Sequence, residues 1–133
     1  MASDAPVPRA TPETRPFWDG AAAGELRVQR CRGCSRHFFY PRLACPRCGS
    51  GDVEWVRASG RATLYSYVIN HRPAPGYDPP YAIAVVELEE GVRMMTNIVH
   101  TEITPENLVL DMPLRVVFEK RGDMALPMFE PAS

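Results

Sequence analysis

Beyond Gly60 the apolar positions alternate with polar ones in five runs, "RATLYSYVINH", "YAIAVVELEE", "VRMMTNIVH", "LRVVFEKRG" and a shorter "ALPMFE". A period of two is that of β-strands, whose successive side chains point to opposite faces. Thr63, Tyr65, Tyr67 and Ile69 should share one face of the first strand, and Leu114, Val116 and Phe118 one face of the fourth. The second run, with "AIAVV", is apolar on both faces and should be central. Glu90-Gly91 marks a tight turn between the second and third strands, because glycine accepts the positive φ such turns require. The connection "RPAPGYDPP" at residues 72–80 is stiffened by four prolines.

"TPENL" at residues 104–108, with Thr104 as cap and Pro105 at the first helical position, predicts a brief helix between the third and fourth strands. Three strands, a short helix and two strands follow the order of an OB-fold barrel. Upstream, "TRPFWDGAAAGEL" reads as a short helix, with Thr14 as N-cap, Pro16 in the first turn and Gly24 as the stop. Gly20 lies inside it against propensity. Phe17 with Ala21 and Trp18 with Ala22 form an apolar stripe that packs on the protein's own body or docks a partner; spacing does not separate the two. "LRVQRC" and "VEWVRASG" read as strands flanking the cysteine region. The organisation is therefore a flexible tail over 1–13, a helix and zinc ribbon over 14–57, and an OB-fold over 58–130: a mainly β chain.

"CRGCSRHFFYPRLACPRCGS" changes the picture most. Cys31, Cys34, Cys45 and Cys48 form two Cys-x-x-Cys units, each short enough for both thiolates to face one ion and together complete a tetrahedron. Gly33, Gly49 and Pro46 suit the tight backbone of such knuckles. Structural zinc is the expected occupant, and iron in the same cage the alternative. A redox dithiol needs only one pair and leaves the other unexplained. Four thiolates leave no open position to activate water, so the metal folds the module and does no chemistry.

Net charge is −1 over 133 residues, which provides no global attraction to nucleic acid or anionic membranes. The cations are fourteen arginines and the single Lys120. Eight of these arginines lie between Leu26 and Arg61, against Asp52 and Glu54 alone. Codon bias and charge balance around the metal account for such a belt, and so does an anion site. With His37, Phe38, Phe39, Tyr40 and Trp55 between them, the arginines could grip coenzyme A or a nucleic-acid strand. Tyr65 and Tyr67 read as barrel core or as base-stacking platforms.

The N-terminus lacks the apolar core, about 7–15 residues long, of a signal peptide, and no run approaches the roughly 18 apolar residues of a membrane span. A cytoplasmic location is expected, where paired cysteines bind metal more often than they form disulfides. No nucleophile elbow or phosphate loop is present. His71, His100, Glu87, Glu89 and Glu90 are the only candidates for an acid–base pair, at strand ends where polar residues are ordinarily just solvated.

Ribbon and barrel together resemble a domain-of-unknown-function family with an N-terminal rubredoxin-like zinc ribbon and a C-terminal OB-fold, associated with acyl-CoA metabolism. The resemblance runs from about Phe17 to Phe129, through "FWDGAAAGELRVQRCRGC", "PRLACPRCGS", "GRATLYSYVINHRP", "PPYAIAVVELEEGVRMMTNIV", "MPLRVVFEKRG" and "LPMFEP". Ser35 stands where the first knuckle often carries Gly, and Tyr40 where a second Pro is common. The resemblance implies a non-catalytic accessory subunit of thiolase-like enzymes, including steroid side-chain retro-aldolases, or a partner of hot-dog-fold enoyl-CoA hydratases. Such a hetero-oligomer shelters a CoA-ester channel and leaves bond-making residues on the partner. Arg32, Arg36, Arg42 and Arg47 would be the contacts to CoA phosphates, and the 72–80 loop and the helix the docking surface. The rival reading is an OB-fold that binds single-stranded nucleic acid.

Overall fold

The computed structural model describes residues 7–132. The first six residues of the expected tail lie outside the described residues. Helix α1, Arg15–Ala22, starts at Thr14. The Thr14 hydroxyl makes no cap bond and instead accepts the Thr11 N–H at 2.8 Å. The helix closes where Glu25 N–H donates to Gly20 C=O (2.7 Å) and Gly24 N–H to Ala21 C=O (3.0 Å), the paired bonds of a Schellman end. Gly20 is there for space: a Cβ would lie 2.6 Å from Arg27 Cδ. Phe17 and Ala21 are buried, Trp18 is half-buried and Ala22 exposed, so the first pair of the stripe packs inward.

Strands β1 (Arg27–Cys31), β2 (His37–Phe38) and β3 (Val53–Arg57) make an antiparallel sheet in the order β2-β1-β3. Two-residue β2 is too short to leave a period in the sequence. Strands β4 (Arg61–Asn70), β5 (Tyr81–Leu88), β6 (Arg93–Ile98), β7 (Pro113–Arg121) and β8 (Met124–Pro131) close into a barrel, β4-β5-β6-β8-β7. The architecture is mainly β with one short helix, and the barrel is the expected OB-fold. Closure between β6 and β8 is parallel and rests on one register pair, Ile98 with Phe129, supported by Val99 N–H donating to Phe129 C=O at 2.9 Å. The β5–β6 turn is as expected: Gly91, at φ 89°, donates to Leu88 C=O at 2.8 Å.

Two expectations fail locally. The β4–β5 register shifts between Leu64, opposite Val86, and Ser66, opposite Val85. A bulge changes the parity of a strand, so Ala62 and Leu64 are buried before it, whereas Tyr67 and Ile69 pack on the core after it. Thr63 and Tyr65 are exposed, and the supposed common face of Thr63, Tyr65, Tyr67 and Ile69 is split. Leu114, Val116 and Phe118 do share an inward face. The helix expected at 104–108 is a single turn, with Leu108 N–H on Thr104 C=O (3.0 Å) and Asn107 N–H on Thr104 Oγ1 (3.2 Å). Leu108 must enter the core, and the chain reverses at Asp111 (φ 69°) to reach β7, which leaves no length for a second turn.

One apolar core runs through the molecule: Leu64, Val86, Leu114 and Phe129 inside the barrel are continuous with Phe17, Leu26 and Val28. Cys31, Phe38 and Cys45 form a separate small cluster. Phe129 is fully buried and touches the closing seam. Phe129→Ala should therefore lower stability by about 3–5 kcal/mol, measured by urea denaturation; a loss under about 1 kcal/mol would mean that the seam does not hold the barrel closed.

Candidate metal centre and apolar groove

The two knuckles repeat each other atom for atom. Cys31 N–H donates to Arg36 C=O and Cys45 N–H to Ser50 C=O, both at 2.8 Å. Ser35 N–H returns to Cys31 C=O (2.8 Å) and Gly49 N–H to Cys45 C=O (2.9 Å). The residue four beyond the leading cysteine is left-handed in both, Ser35 at φ 65° and Gly49 at φ 79°. Glycine suits that position, as at Gly49, because an L side chain such as that of Ser35 is strained there.

All four Sγ atoms lie within 4.8 Å of one another, with Cys31 to Cys48 at 3.5 Å and Cys34 to Cys45 at 3.7 Å. A tetrahedron of Zn–S bonds of about 2.3 Å has edges of about 3.8 Å, so the donor set fits one such ion. The Cys34 and Arg47 amides point at Cys31 and Cys45 Sγ, each at 3.4 Å. The Cys48 amide, with burial opposing it and the Arg47 amide assisting, brings the Cys45 thiol down to about 6. At Cys48 the Ser50 amide pulls downward, but the Cys31 sulfur, burial and the other two thiols outweigh it and push that thiol up to about 11. Such a cluster shares fewer than four negative charges until a cation enters.

Of the four arginines expected at CoA phosphates, Arg32 is engaged by Asp52 (2.7 Å) and Glu54 (3.3 Å). Among the described residues, the side chains of Arg36, Arg42 and Arg47 make no ion pair. The acid–base candidates do not meet. Glu87 goes to Arg93, Glu89 to Arg61, and Glu90 accepts the Ser59 N–H. His100 reaches Glu130 instead, whose other oxygen takes Arg115. Tyr65 carries the Arg93 guanidinium 3.8 Å above its ring, and Tyr67 is half-buried on the core, so neither offers the free platform that base stacking needs.

A groove of about 560 Å3, whose lining includes Trp18, Phe39, Tyr40, Tyr77, Met95 and Met128, lies beside the β6–β8 seam. The helix and the 72–80 loop, singled out as docking candidates, both contribute walls. Tyr77 is fixed by stacking on Tyr81 (5.0 Å) and by the Arg121 guanidinium 5.4 Å from its ring. Among the described residues Arg9 is the only charged one in the lining, and no acid is among them. The groove went unanticipated because its residues come from separate segments; the one sequence signal was Met94-Met95, an apolar pair of which β6 can bury only one. Met94 is buried and Met95 is 71% exposed.

Ribbon and barrel define a zinc-ribbon OB-fold protein. Residues 18–54 match the family described as "ChsH2, rubredoxin-like zinc ribbon domain", and residues 55–119 match "ChsH2, C-terminal OB-fold domain". The chain belongs to this ChsH2-type DUF35 family. It resembles a "Probable enoyl-CoA hydratase alpha subunit" of Thermomonospora curvata (39% identity over 87% of the chain) and spans only 37% of that relative's length. A "DUF35 domain-containing scaffold protein" of Methanothermobacter thermautotrophicus is 33% identical over 71% of the chain and 72% of its own. A solved structure described as "Ltp2-ChsH2(DUF35) aldolase" superposes with a TM-score of 0.84 at 34% identity, covering 96% of this chain and all of that one. Among the described residues no helix is long and apolar enough to cross a membrane.

The contact with His100, followed by that with Arg115, holds the Glu130 carboxyl below the usual carboxylate range. A depressed folded pKa contributes stability that is fully present above the unfolded value and is lost as pH falls through the folded one. The stability gap between wild type and Glu130→Gln should be full above about pH 5 and shrink on acidification; a gap independent of pH in denaturation curves would refute this role.

Proposed function

We propose that the chain is a non-catalytic subunit that binds a thiolase-like acyl-CoA enzyme, a thiolase or a retro-aldolase, and helps to form its CoA-ester channel. The observation that carries this reading is the end-to-end likeness to the chain of the Ltp2-ChsH2(DUF35) aldolase. Relatives described as a scaffold protein and as a hydratase alpha subunit support a subunit role. An enoyl-CoA hydratase partner is the second reading, favoured by the 39% identity to that alpha subunit. The groove speaks against the nucleic-acid alternative, because strand-binding grooves are basic as well as aromatic and this one has a single cation among the described residues.

Cys31, Cys34, Cys45 and Cys48 hold a structural Zn2+ in this reading. The ion offsets half of the charge of four clustered thiolates and joins two knuckles whose own apolar cluster is small, so its binding energy is folding energy. Cys45→Ser should lower bound zinc, read by metal analysis, and make residues 25–57 protease-sensitive. Full zinc content with an unchanged digest would refute the assignment, and a red-brown iron protein would replace the metal.

Capture of the tagged chain from extracts of its source, with and without nuclease, tests the subunit role. A stoichiometric thiolase-like enzyme that survives nuclease is the expected result, and a hydratase would select the second reading. Nucleic acid alone, lost on nuclease treatment, would overturn both.

A further inference from the structure

The ribbon carries an exposed tip whose construction the metal cage does not explain. From Gly33 to Gly51 there is no acidic residue, while Arg36, Arg42 and Arg47 are exposed and have no ion-pair partner among the described residues. Between them Leu43 is 76% exposed and Tyr40 62% exposed. Leu43 is the most exposed of the large hydrophobic side chains described. A single exposed leucine is ordinary by itself; what sets this one apart is the loop that displays it.

The loop that displays it is held from inside. Gln29, only 4% exposed, spends its whole amide on one residue: Oε1 accepts the Arg42 N–H at 2.6 Å, and Nε2 donates to the Arg42 C=O at 2.8 Å. Burying an amide for this purpose fixes the backbone immediately before Leu43. On the other side Pro41 is buried, and Phe39 packs on Phe17 with ring centroids 5.3 Å apart. The tip is therefore pre-organised, which lowers the ordering cost of binding. Tyr40, three residues before Leu43, also lines the apolar groove.

We propose that this tip, with Leu43 as anchor and Arg36, Arg42 and Arg47 as a cationic rim, docks on an acidic surface of the partner enzyme that offers an apolar pocket. The inference rests on the subunit reading above and assigns these arginines a protein anion, where the sequence pointed to CoA phosphates. Charge complementarity selects the occupant's sign: the tip has no carboxylate of its own and three arginines without an ion-pair partner among the described residues, which outweigh the −2 of a zinc-loaded four-thiolate cage. The apolar anchor selects its class: a phosphate gains nothing from a leucine, whereas protein interfaces bury apolar anchors within a polar rim.

The test uses full-length chain and the enzyme recovered with it by capture, in titrations at low and high salt. Leu43→Asp should weaken binding roughly tenfold or more. Arg36→Glu/Arg42→Glu/Arg47→Glu should slow association and remove most of the salt dependence. Zinc content and thermal unfolding equal to wild type establish that the variants are folded; if the triple variant is not, Leu43→Asp alone decides. Wild-type affinity in Leu43→Asp overturns the inference and leaves the subunit role standing. The same holds if the triple variant binds the enzyme normally but loses CoA affinity, which returns the arginines to phosphate. Recovery of no enzyme by the wild-type chain removes the subunit role and this inference together.

Discussion

Strand β1 is buried on both of its faces, and the rest of the molecule depends on that. Five residues long, it gives Val28 to the barrel-side core and Cys31 to the sulfur cage. Between them Gln29 holds the Arg42 backbone. Burial of Leu26 and Val28 favours the folded state by about 1.5–3 kcal/mol each, and the same residues orient the ribbon relative to the barrel. A strand with a polar outer face would leave a ribbon tethered by sequence alone; this one joins the separate knuckle cluster to the core that the helix and the barrel share.

That fusion explains why the groove is a property of the whole chain. Its floor is barrel, with Ile83 and Met95 on the outward faces of β5 and β6, and its walls are helix, ribbon loop and proline-rich loop. None of these elements makes a binding surface alone. Closure of β6 on β8 through a single register pair leaves the seam open along most of β6, so the walls come from outside the barrel. The described lining is apolar where a nucleic-acid site would need cations, and none of the belt arginines is part of it.

Some of this was legible in the sequence and some was not, for identifiable reasons. Cysteine spacing encodes a local geometry, so the cage could be read directly, but not the left-handed corner of the first knuckle, which falls on Ser35 and not on Gly33. Strand alternation gave the barrel in the right order. It misassigned Thr63 and Tyr65, because one inserted residue leaves both halves of β4 periodic and only reverses their sense. Gln29 looked like any polar strand residue; its partner is thirteen positions away and is a backbone group, which no side-chain pattern can announce. The groove and the engagement of Arg32 by Asp52 and Glu54 are likewise products of tertiary contact.

The arginine excess takes on a different meaning once the partners are known. Among the described residues, eight of the fourteen arginines have a carboxylate within ion-pair distance, at positions 27, 30, 32, 57, 61, 93, 115 and 121. Arg121 is buried, but solvent-exposed pairs like most of the others contribute little to stability, about 0–1 kcal/mol each, so they do not account for the fold. Their effect is on the field around the molecule. Each pair removes a cation from the long-range potential, and at physiological salt the unpaired charges act only over about 8 Å. What remains on the ribbon is a short-range positive tip beside an apolar anchor. A chain of net charge −1 thereby presents one locally cationic surface without a general attraction for polyanions, a distribution suited to choosing one face of one protein.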